Sequence, residues 1–266
     1  MICFPNAKIN LGLHVTGKRS DGYHTIETIF YPIPLTDALE AVKSEKTTFK
    51  QTGIKLESLP EDNLVMKTYD LMSKKYKIPP LEIFLTKAIP SGAGLGGGSS
   101  DASFALKLFN ELCECNIPDS ELEKIAASIG ADCPFFIHNK PVIATGTGNI
   151  FKPCDISLKG YIIYVIKPTV TVSTKEAYSK VNPRKPKFSL EKLSSIPINE
   201  WRDVLKNDFE PSVFDKYPVI GEIKDKLYCM GAEYAVMSGS GSSVFGLFKN
   251  AISPKFADCF VWNGML

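Results

Sequence analysis

The sequence has few features of a secreted, zinc-binding or membrane protein. Its seven cysteines are scattered and form no Cys-x-x-Cys pair, which argues against a disulfide framework and against a zinc site. No apolar run reaches the length of a transmembrane helix, and the first residues lack the basic and apolar regions of a secretory signal. We therefore expect a protein of the reducing cytoplasm with no membrane partner.

An excess of charge of one sign is also missing. Lys and Arg together number 31 against 29 Asp and Glu, which gives a formal net charge of +2. Proteins that bind nucleic acid along their surface usually carry a strongly basic face. We expect no nucleic-acid partner, so any polyanionic ligand must be bound by a local site. The sequence leaves open whether the protein is a monomer or a homodimer.

The residues that are present predict a mixed fold. With 266 residues, of which 44% are apolar, the chain can bury a substantial core in one large or two ordinary domains. Alternating or apolar runs predict strands at residues 7–16, 26–43, 81–87, 161–166 and on both sides of 237–241. Helical periodicity and end signals predict helices at residues 63–76, 99–112, 120–129, 173–178 and 217–230.

Three predicted helix ends depend on capping residues. Asp62 or Asn63 can cap the first helix. Ser120 with Glu123, and Ser173 with Glu176, have the spacing of a capping box and predict two further helix starts. Since strands and helices are mixed in both halves, we predict an α+β protein with an N-terminal domain at 1–150 and a C-terminal domain at 151–266.

A glycine-rich loop between a predicted strand and a predicted helix is the strongest local signal. Its glycines let backbone N–H groups crowd around an anion, and the helix that follows adds its unpaired N–H groups and the positive end of its dipole. This pattern predicts a site for a triphosphate. Ser99 or Ser100 could supply a hydroxyl to Mg²⁺, and we expect no other protein ligand for the metal. The residues that we assign to this site are Pro90, Ser91, Gly92, Ala93, Gly94, Leu95, Gly96, Gly97, Gly98, Ser99 and Ser100.

The loop also admits three other interpretations. A glycine-rich segment can be a flexible connection only. Gly92, Gly94 and Gly97 satisfy G-x-G-x-x-G, but a dinucleotide site needs a second strand after the helix, where residues 120–129 predict another helix. A Walker A loop needs Gly-Lys-Ser/Thr, and Gly97 is followed by Gly98 and Ser99. Positive charge for the phosphates must therefore come from elsewhere in the chain.

The loop resembles the second motif of the GHMP kinases, with one extra glycine. Four further segments resemble motifs of that family in the expected order, at residues 7–13, 21–28, 130–136 and 237–243. Residues 207–211 resemble another family segment. The resemblance implies a two-lobed fold, with a ribosomal-S5-like N-terminal lobe that has a left-handed β-α-β crossover and a ferredoxin-like C-terminal lobe. It implies an ATP-dependent small-molecule kinase that uses Mg²⁺.

The same resemblance implies roles for individual residues. Asp132 would take the proton from the substrate alcohol, and Lys8 would stabilise the developing negative charge. On its own, Asp132 is more simply interpreted as a helix-cap or salt-bridge carboxylate. Asn63, Leu64 and Lys87 match positions that approach adenine, although Leu64 could equally be a core residue.

Within the family, residues 21–28 resemble the members that act on cytidine diphosphate-linked methylerythritol. That likeness implies phosphorylation of the substrate's 2-hydroxyl in the non-mevalonate route to isoprenoid precursors. His24 would hydrogen-bond the cytosine and Tyr178 would stack on it, although a surface tyrosine is an equal alternative. The rest of the implied substrate site is Asn10, Tyr23, Thr174 and Gly239.

Two classes of alternative remain open from the sequence. One is another kinase of the same family, acting on mevalonate, homoserine or a sugar. The other is a non-catalytic nucleotide-binding module or an RNA-binding domain, against which the balanced charge and the presence of both Lys8 and Asp132 argue.

Overall fold

The computed structural model describes residues 1–55 and 59–266. The strands are β1 Ile2–Cys3, β2 Asn6–Lys18, β3 His24–Thr36, β4 Ala38–Lys43, β5 Thr48–Gly53, β6 Leu81–Lys87, β7 Val142–Thr145, β8 Ile150–Pro153, β9 Ile162–Pro168, β10 Tyr234–Met237, β11 Val244–Phe248 and β12 Cys259–Met265. The α-helices are α1 Leu64–Tyr76, α2 Gly97–Leu112, α3 Asp119–Ile129, α4 Cys133–His138, α5 Thr174–Ser179, α6 Trp201–Val204, α7 Glu210–Lys216 and α8 Pro218–Cys229. Short 3₁₀ helices occupy Pro60–Asp62, Leu190–Ser195 and Ile198–Glu200.

The chain divides into two compact units, each made of several segments. The first contains Met1–Ala7, Leu35–Ser91 and Gly96–Asn139. The second contains Lys8–Pro34, Gly92–Leu95 and Lys140–Leu266. Among the helices described, none combines the length and the hydropathy that a membrane span requires.

In the first unit, helices pack on a four-stranded sheet with the order β1-β4-β6-β5. Strand β4 is antiparallel to β1 and β6, whereas β5 runs parallel to β6 and is joined to it through α1. The core combines apolar side chains of β4 and β6 with those of α1 and α2, such as Leu39, Ile83, Val65 and Phe109. This packing fixes the end of β6 and the start of α2, which flank the glycine-rich loop.

The second unit contains two four-stranded sheets, with the orders β2-β3-β7-β8 and β10-β11-β9-β12. All pairs in the latter are antiparallel. Helix α8 buries Ile220, Ile223 and Leu227 in a core shared with β9, β10 and β11. The turn between β10 and β11 is the segment 238–243, which resembles a family motif.

Several helix ends are where the sequence predicts them. The side-chain Oδ1 of Asn63 accepts a hydrogen bond from the N–H of Val65 at 2.9 Å, so Asn63 is the N-cap of α1. Gly130 is the C-cap of α3. The predicted strands at 7–16, 26–43 and 81–87 correspond to β2, to β3 with β4, and to β6.

The predicted capping role of Ser120 is wrong. Helix α3 begins one residue earlier, with Pro118 as its N-cap, because the Pro118 carbonyl accepts the N–H groups of Glu121 and Leu122. Ser120 therefore lies inside the first turn. Ser173 is the N-cap of α5, as predicted, but its side chain makes no capping hydrogen bond.

Other differences concern boundaries and missed elements. Helix α2 begins at Gly97 rather than at Ser99, and the helix predicted at 217–230 is α8, which follows a separate helix α7. Pro218 lies at the first position of α8, where its missing N–H costs nothing. The sequence did not predict β5, β12 or the short helix α4. The handedness of the crossover between β5 and β6 stays a prediction.

Candidate functional site

A cavity of about 190 Å³ lies in the first unit. It is lined by the start of α1, by the end of β6 with the chain that follows it, and by the first turns of α2. The lining residues are Asp62, Asn63, Leu64, Lys87, Ile89, Pro90, Ser91, Gly98 and Asp101. Six of these were assigned from the sequence to ATP: Asn63, Leu64, Lys87, Pro90, Ser91 and Gly98.

Two of the lining residues, Lys87 and Asp101, belong to a buried cluster of charges. The ammonium of Lys87 donates hydrogen bonds to Oδ2 of Asp37 and, at 2.6 Å, to Oδ2 of Asp101. All three side chains are buried. The Oδ1 atom of Asp37 accepts the N–H groups of Ala88 and Ile89, which fixes the chain just after β6. The cluster therefore holds the end of β6 and the start of α2 together.

Burial dominates the acid-base behaviour of this cluster. The pKa of Asp101 is raised to about 8, chiefly by burial, while Lys87 lowers it and the neighbouring Asp37 raises it. The Oδ1 atom of Asp101 has no hydrogen-bond partner among the described residues. An acid with one unpaired, buried oxygen is better accommodated in its protonated form.

Three alternate residues of the glycine-rich loop have a backbone conformation that favours glycine. Gly92, Gly94 and Gly96 have φ values of 58°, 74° and 70°. At Gly94 a Cβ atom would lie 2.0 Å from the carbonyl oxygen of Ser238. The hydroxyl of Ser238 donates to the carbonyl of Gly94 at 2.8 Å. Within the second unit, the loop segment Gly92–Leu95 thus lies against the β10–β11 turn.

The start of α2 leaves backbone donors available for an anion. Its N-cap is Gly96, which has no side chain that could cap the helix. The first helical hydrogen bond runs from the N–H of Ser100 to the carbonyl of Gly96 at 2.8 Å. The N–H groups of the preceding turn point along the helix axis. Of the two serines assigned to Mg²⁺, Ser99 is partly exposed, whereas Ser100 is fully buried. Ser99 is therefore the better candidate.

Asp132 lies beside the start of α2 in the first unit. The hydroxyl of Ser103 is within hydrogen-bond distance of the carbonyls of Ser99, at 2.9 Å, and Cys133, at 2.7 Å. Asp132 directly precedes Cys133 and is half-buried. It occupies the N-cap position of α4, but its side chain makes no capping hydrogen bond. Asp132 therefore occupies a cap position without a capping hydrogen bond, while an ion-pair role is untested.

Lys8 is buried within β2 of the second unit and has polar partners there. Its ammonium donates to Oδ1 of Asn10 at 2.7 Å and to the carbonyl of Gly94 at 3.2 Å, and it lies 4.9 Å from the centre of the Phe30 ring. The amide of Asn10 donates in turn to Thr28 at 3.0 Å. Lys8 thus contacts the glycine-rich loop at Gly94, and Asn10 contacts Lys8.

The β10–β11 turn is held in place by a second buried network. The side-chain amide of Asn207 donates to the carbonyls of Met237 and Gly239, both at 2.8 Å. The Glu210 carboxylate accepts a hydrogen bond from the N–H of Met237 at 2.9 Å and forms an ion pair with the Lys224 ammonium at 2.6 Å. The sequence singled out residues 207–211 by resemblance only, and this network gives those residues a structural role.

Two of the residues assigned to cytosine lie in contact. The rings of His24 and Tyr178 stack with centroids 4.9 Å apart and an interplanar angle of 19°. Tyr23 is exposed, and Thr174 lies 3.2 Å from the hydroxyl of Ser240 in the β10–β11 turn. At Gly239 a Cβ would lie 3.3 Å from Oδ1 of Asn10. The predicted substrate residues of the second unit therefore include two groups. His24 and Tyr178 form an aromatic pair, whereas Asn10 and Gly239 lie beside Lys8.

Family models and a close relative decide which family this is. The model for the N-terminal domain of GHMP kinases matches residues 63–140, and the model for the C-terminal domain matches residues 190–257. A curated relative from Parabacteroides distasonis is 60% identical over 270 residues and covers 100% of both chains. The chain belongs to the GHMP kinase family. It is therefore a small-molecule kinase, and the family implies ATP as the phosphoryl donor.

Two relatives of this GHMP kinase that match it over their full length have the same name. The proteins from Parabacteroides distasonis and Porphyromonas gingivalis, the latter 50% identical with 100% of both chains covered, are called 4-diphosphocytidyl-2-C-methyl-D-erythritol kinase. A crystal structure of 4-(cytidine 5'-diphospho)-2C-methyl-D-erythritol kinase is 31% identical, with a TM-score of 0.80 and coverage of 93% of this chain and 90% of the other. Mevalonate kinase from Methanococcus jannaschii has a TM-score of 0.68 at 14% identity, covering 100% of this chain and 98% of the other, and shares the fold alone. The predicted α+β GHMP kinase fold is confirmed.

Sequence reasoning missed the acidic partners of Lys87 in this GHMP kinase. Asp37 lies between β3 and β4, about fifty positions from Lys87, and no local pattern marks it. Asp101 was visible as the residue after Ser100, but it was not assigned a role. One signal could have indicated that such partners exist, although not which residues they are: a lysine at the end of an apolar strand needs buried carboxylates nearby.

Proposed function

We propose that this protein phosphorylates the 2-hydroxyl of 4-diphosphocytidyl-2-C-methyl-D-erythritol with ATP, a step of the non-mevalonate route to isoprenoid precursors. The observation that carries the proposal is the full-length relative of that name at 60% identity. The free cysteines fit a reducing cytoplasm, where we expect the reaction to occur. We also propose the domain boundary near residue 150, which falls between the two regions matched by the family models.

The nucleotide is held by the first unit's cavity and by the start of α2. Adenine enters the cavity beside Asn63, Leu64 and Lys87, which are brought together there. The triphosphate lies against the loop from Pro90 to Ser100, where glycine-exposed N–H groups and the helix dipole favour negative charge. This assignment is supported by the positive φ angles of the loop and by its uncapped helix start.

Mg²⁺ would be bound chiefly by the phosphates. Among the described residues, no group of three or more His, Cys, Asp or Glu side chains could hold a metal ion, and Mg²⁺ in kinases is typically held by substrate phosphates with only one or two protein ligands. The Ser99 hydroxyl fits as such a ligand because it is partly exposed at the helix start. When bound, Mg²⁺ supplies neutralisation of the phosphate charge.

Asp132 and Lys8 carry the chemistry in this proposal. The Asp132 carboxylate accepts the proton of the substrate's 2-hydroxyl as the hydroxyl oxygen bonds to the γ-phosphorus, and the bond from that phosphorus to the bridging oxygen of ADP breaks. The Lys8 ammonium stabilises the negative charge that develops. Its buried contact with Asn10 restricts where that ammonium can point, which is the positioning that phosphoryl transfer requires.

The cytidine end of the substrate binds at the aromatic group of the second unit. His24 and Tyr178 already lie at contact distance, so a third ring does not fit between them. We propose that cytosine replaces the imidazole against Tyr178, while His24 turns to hydrogen-bond the edge of the base. Tyr23, Thr174, Asn10 and Gly239 complete the site towards Lys8.

Product identification tests the proposal. Purified protein is incubated with Mg-ATP and the cytidylyl substrate, and the product is examined by phosphorus and carbon NMR. The proposal predicts one new phosphomonoester at C2 of the methylerythritol and an equal amount of ADP. Phosphorylation at another hydroxyl, or ADP formation without a phosphorylated product, would refute it.

A further inference from the structure

The Lys87 cluster has a property that a phosphate-binding lysine lacks. Its ammonium contacts two carboxylates, Asp37 and Asp101, and all three groups are buried. The formal charge of the cluster is −1 when both acids are ionised and zero when one is protonated. In neither state does the cluster present net positive charge to a triphosphate. Lys87 is therefore unsuited to replace the missing lysine of a Walker A loop.

One hydrogen-bond donor of Lys87 remains for a ligand. An ammonium carries three N–H donors and cannot accept, and among the described residues two of them are taken by Asp37 and Asp101. Lys87 and Asp101 both line the cavity together with Asn63 and Leu64. An N–H donor held in one position in the cavity can bind a ring nitrogen that lacks a proton but not one that carries a proton. It can therefore distinguish between nucleotide bases.

We propose that Asp37 and Asp101 are positioning residues for base recognition, which hold Lys87 so that its remaining N–H donates to the unprotonated N1 of adenine. The inference rests on the proposed binding of ATP in this cavity. Guanine and hypoxanthine carry a proton on N1, and an ammonium cannot accept it. The cluster therefore selects ATP against GTP and ITP. Asp101 is the partner to test, because Asp37 also holds the backbone at Ala88 and Ile89.

Two variants of one residue test the proposal. Asp101→Ala removes the anchor and is expected to raise the KM for ATP about tenfold and to reduce the preference for ATP over GTP and ITP by a similar factor, because a hydrogen bond to a charged group is lost. The kcat at saturating ATP and the KM for the cytidylyl substrate stay unchanged. Asp101→Asn keeps an acceptor for Lys87 and is expected to restore the wild-type KM for ATP. Asp70→Asn, an exposed position on α1, is the matched control.

Several outcomes would overturn the inference. A folded Asp101→Ala variant with wild-type nucleotide preference would do so, and so would an equal rise in KM for both substrates, which indicates a structural role only. If that variant does not fold, the wild type decides: equal affinities for ATP and ITP contradict the proposal. ATP and GTP affinities from calorimetry keep the test independent of the second substrate. Wild-type binding of ATP without turnover of the cytidylyl substrate would refute the proposed function and leave this inference standing.

Discussion

At the scale of single residues, the proposed chemistry depends most on Asp132. Asp132→Asn keeps the shape of the side chain but removes the base, so kcat is expected to fall by at least about 100-fold. Lys8→Ala is expected to have a comparable effect because the developing charge loses its partner. Both variants should still bind ATP in calorimetry, and Lys140→Ala, an exposed lysine of the second unit, should behave as wild type. Near-normal kcat in both variants would reject these roles.

Tyr178 carries the second prediction at this scale. Replacing it with Ala removes the ring on which cytosine would stack, and the KM for the cytidylyl substrate is expected to rise about tenfold, since one stack on an aromatic ring contributes about 1 to 3 kcal/mol. Tyr178→Phe keeps the ring and serves as the control, with KM near the wild-type value. The KM for ATP should not change in either variant. An unchanged KM for the cytidylyl substrate in Tyr178→Ala would exclude stacking.

At the scale of elements, the glycine-rich loop depends on close backbone contact with the β10–β11 turn. Gly94→Ala would place a Cβ 2.0 Å from the carbonyl oxygen of Ser238 at a φ of 74°. Gly160→Ala is a matched control, because its φ of 85° is equally unfavourable but no atom lies within 4 Å.

The two alanine variants separate strain from collision. Positive φ alone costs about 1 to 3 kcal/mol in a residue with a side chain, and Gly160→Ala should lose no more than that in urea unfolding. Gly94→Ala is expected to lose more, and its KM for ATP should rise because the loop is displaced. Equal losses of stability in the two variants, with KM for ATP unchanged, would show that the contact with Ser238 does not hold the loop.

Helices with clear capping residues could be predicted from the sequence, whereas strands that are fixed mainly by pairing with another strand could not. Helix α1 was found because Asn63 is a good N-cap before a helical apolar pattern. Helix α3 was found, but its start was misplaced, since the spacing of Ser120 and Glu123 favoured Ser120, whereas the helix begins after Pro118. Strand β12 was missed because its pairing with β9 fixes it, while its own residues alternate weakly.

The same limit applies to the candidate sites. Local spacing indicated the loop, because several glycines directly before a helix are typical of an anion-binding site, and resemblance indicated Lys87. The Asp37–Lys87–Asp101 cluster joins the junction of β3 and β4 to the end of β6 and to α2. Such a cluster depends on tertiary packing across about fifty positions, so no spacing rule in the sequence could indicate it.

At the scale of the whole molecule, Asp101 links stability to pH. An Asp in an unfolded chain has a pKa of about 3.9, whereas burial raises the pKa of Asp101 to about 8 in the folded protein. Between these values the folded state holds a proton that the unfolded state lacks. Raising the pH therefore lowers the free energy of unfolding through this group, by at most about 1.4 kcal/mol per pH unit.

The variant Asp101→Asn isolates this effect because its side chain does not titrate. The free energy of unfolding of the wild type minus that of the variant is expected to fall between about pH 5 and pH 8, and to level off above pH 8. Urea unfolding at each pH measures both values under the same conditions. A difference that rises with pH would indicate that Lys87 lowers the pKa of Asp101 more than burial raises it.

The central claim is that this GHMP kinase transfers phosphate from ATP to a cytidylyl methylerythritol. A coupled assay of ADP release tests it most directly, with purified protein, Mg-ATP and, in separate reactions, 4-diphosphocytidyl-2-C-methyl-D-erythritol, mevalonate, homoserine and galactose. We predict rapid ADP release with the first acceptor, release at background level with the other three, and loss of the signal in Asp132→Asn. Turnover of mevalonate, homoserine or galactose without turnover of the cytidylyl acceptor would contradict the account.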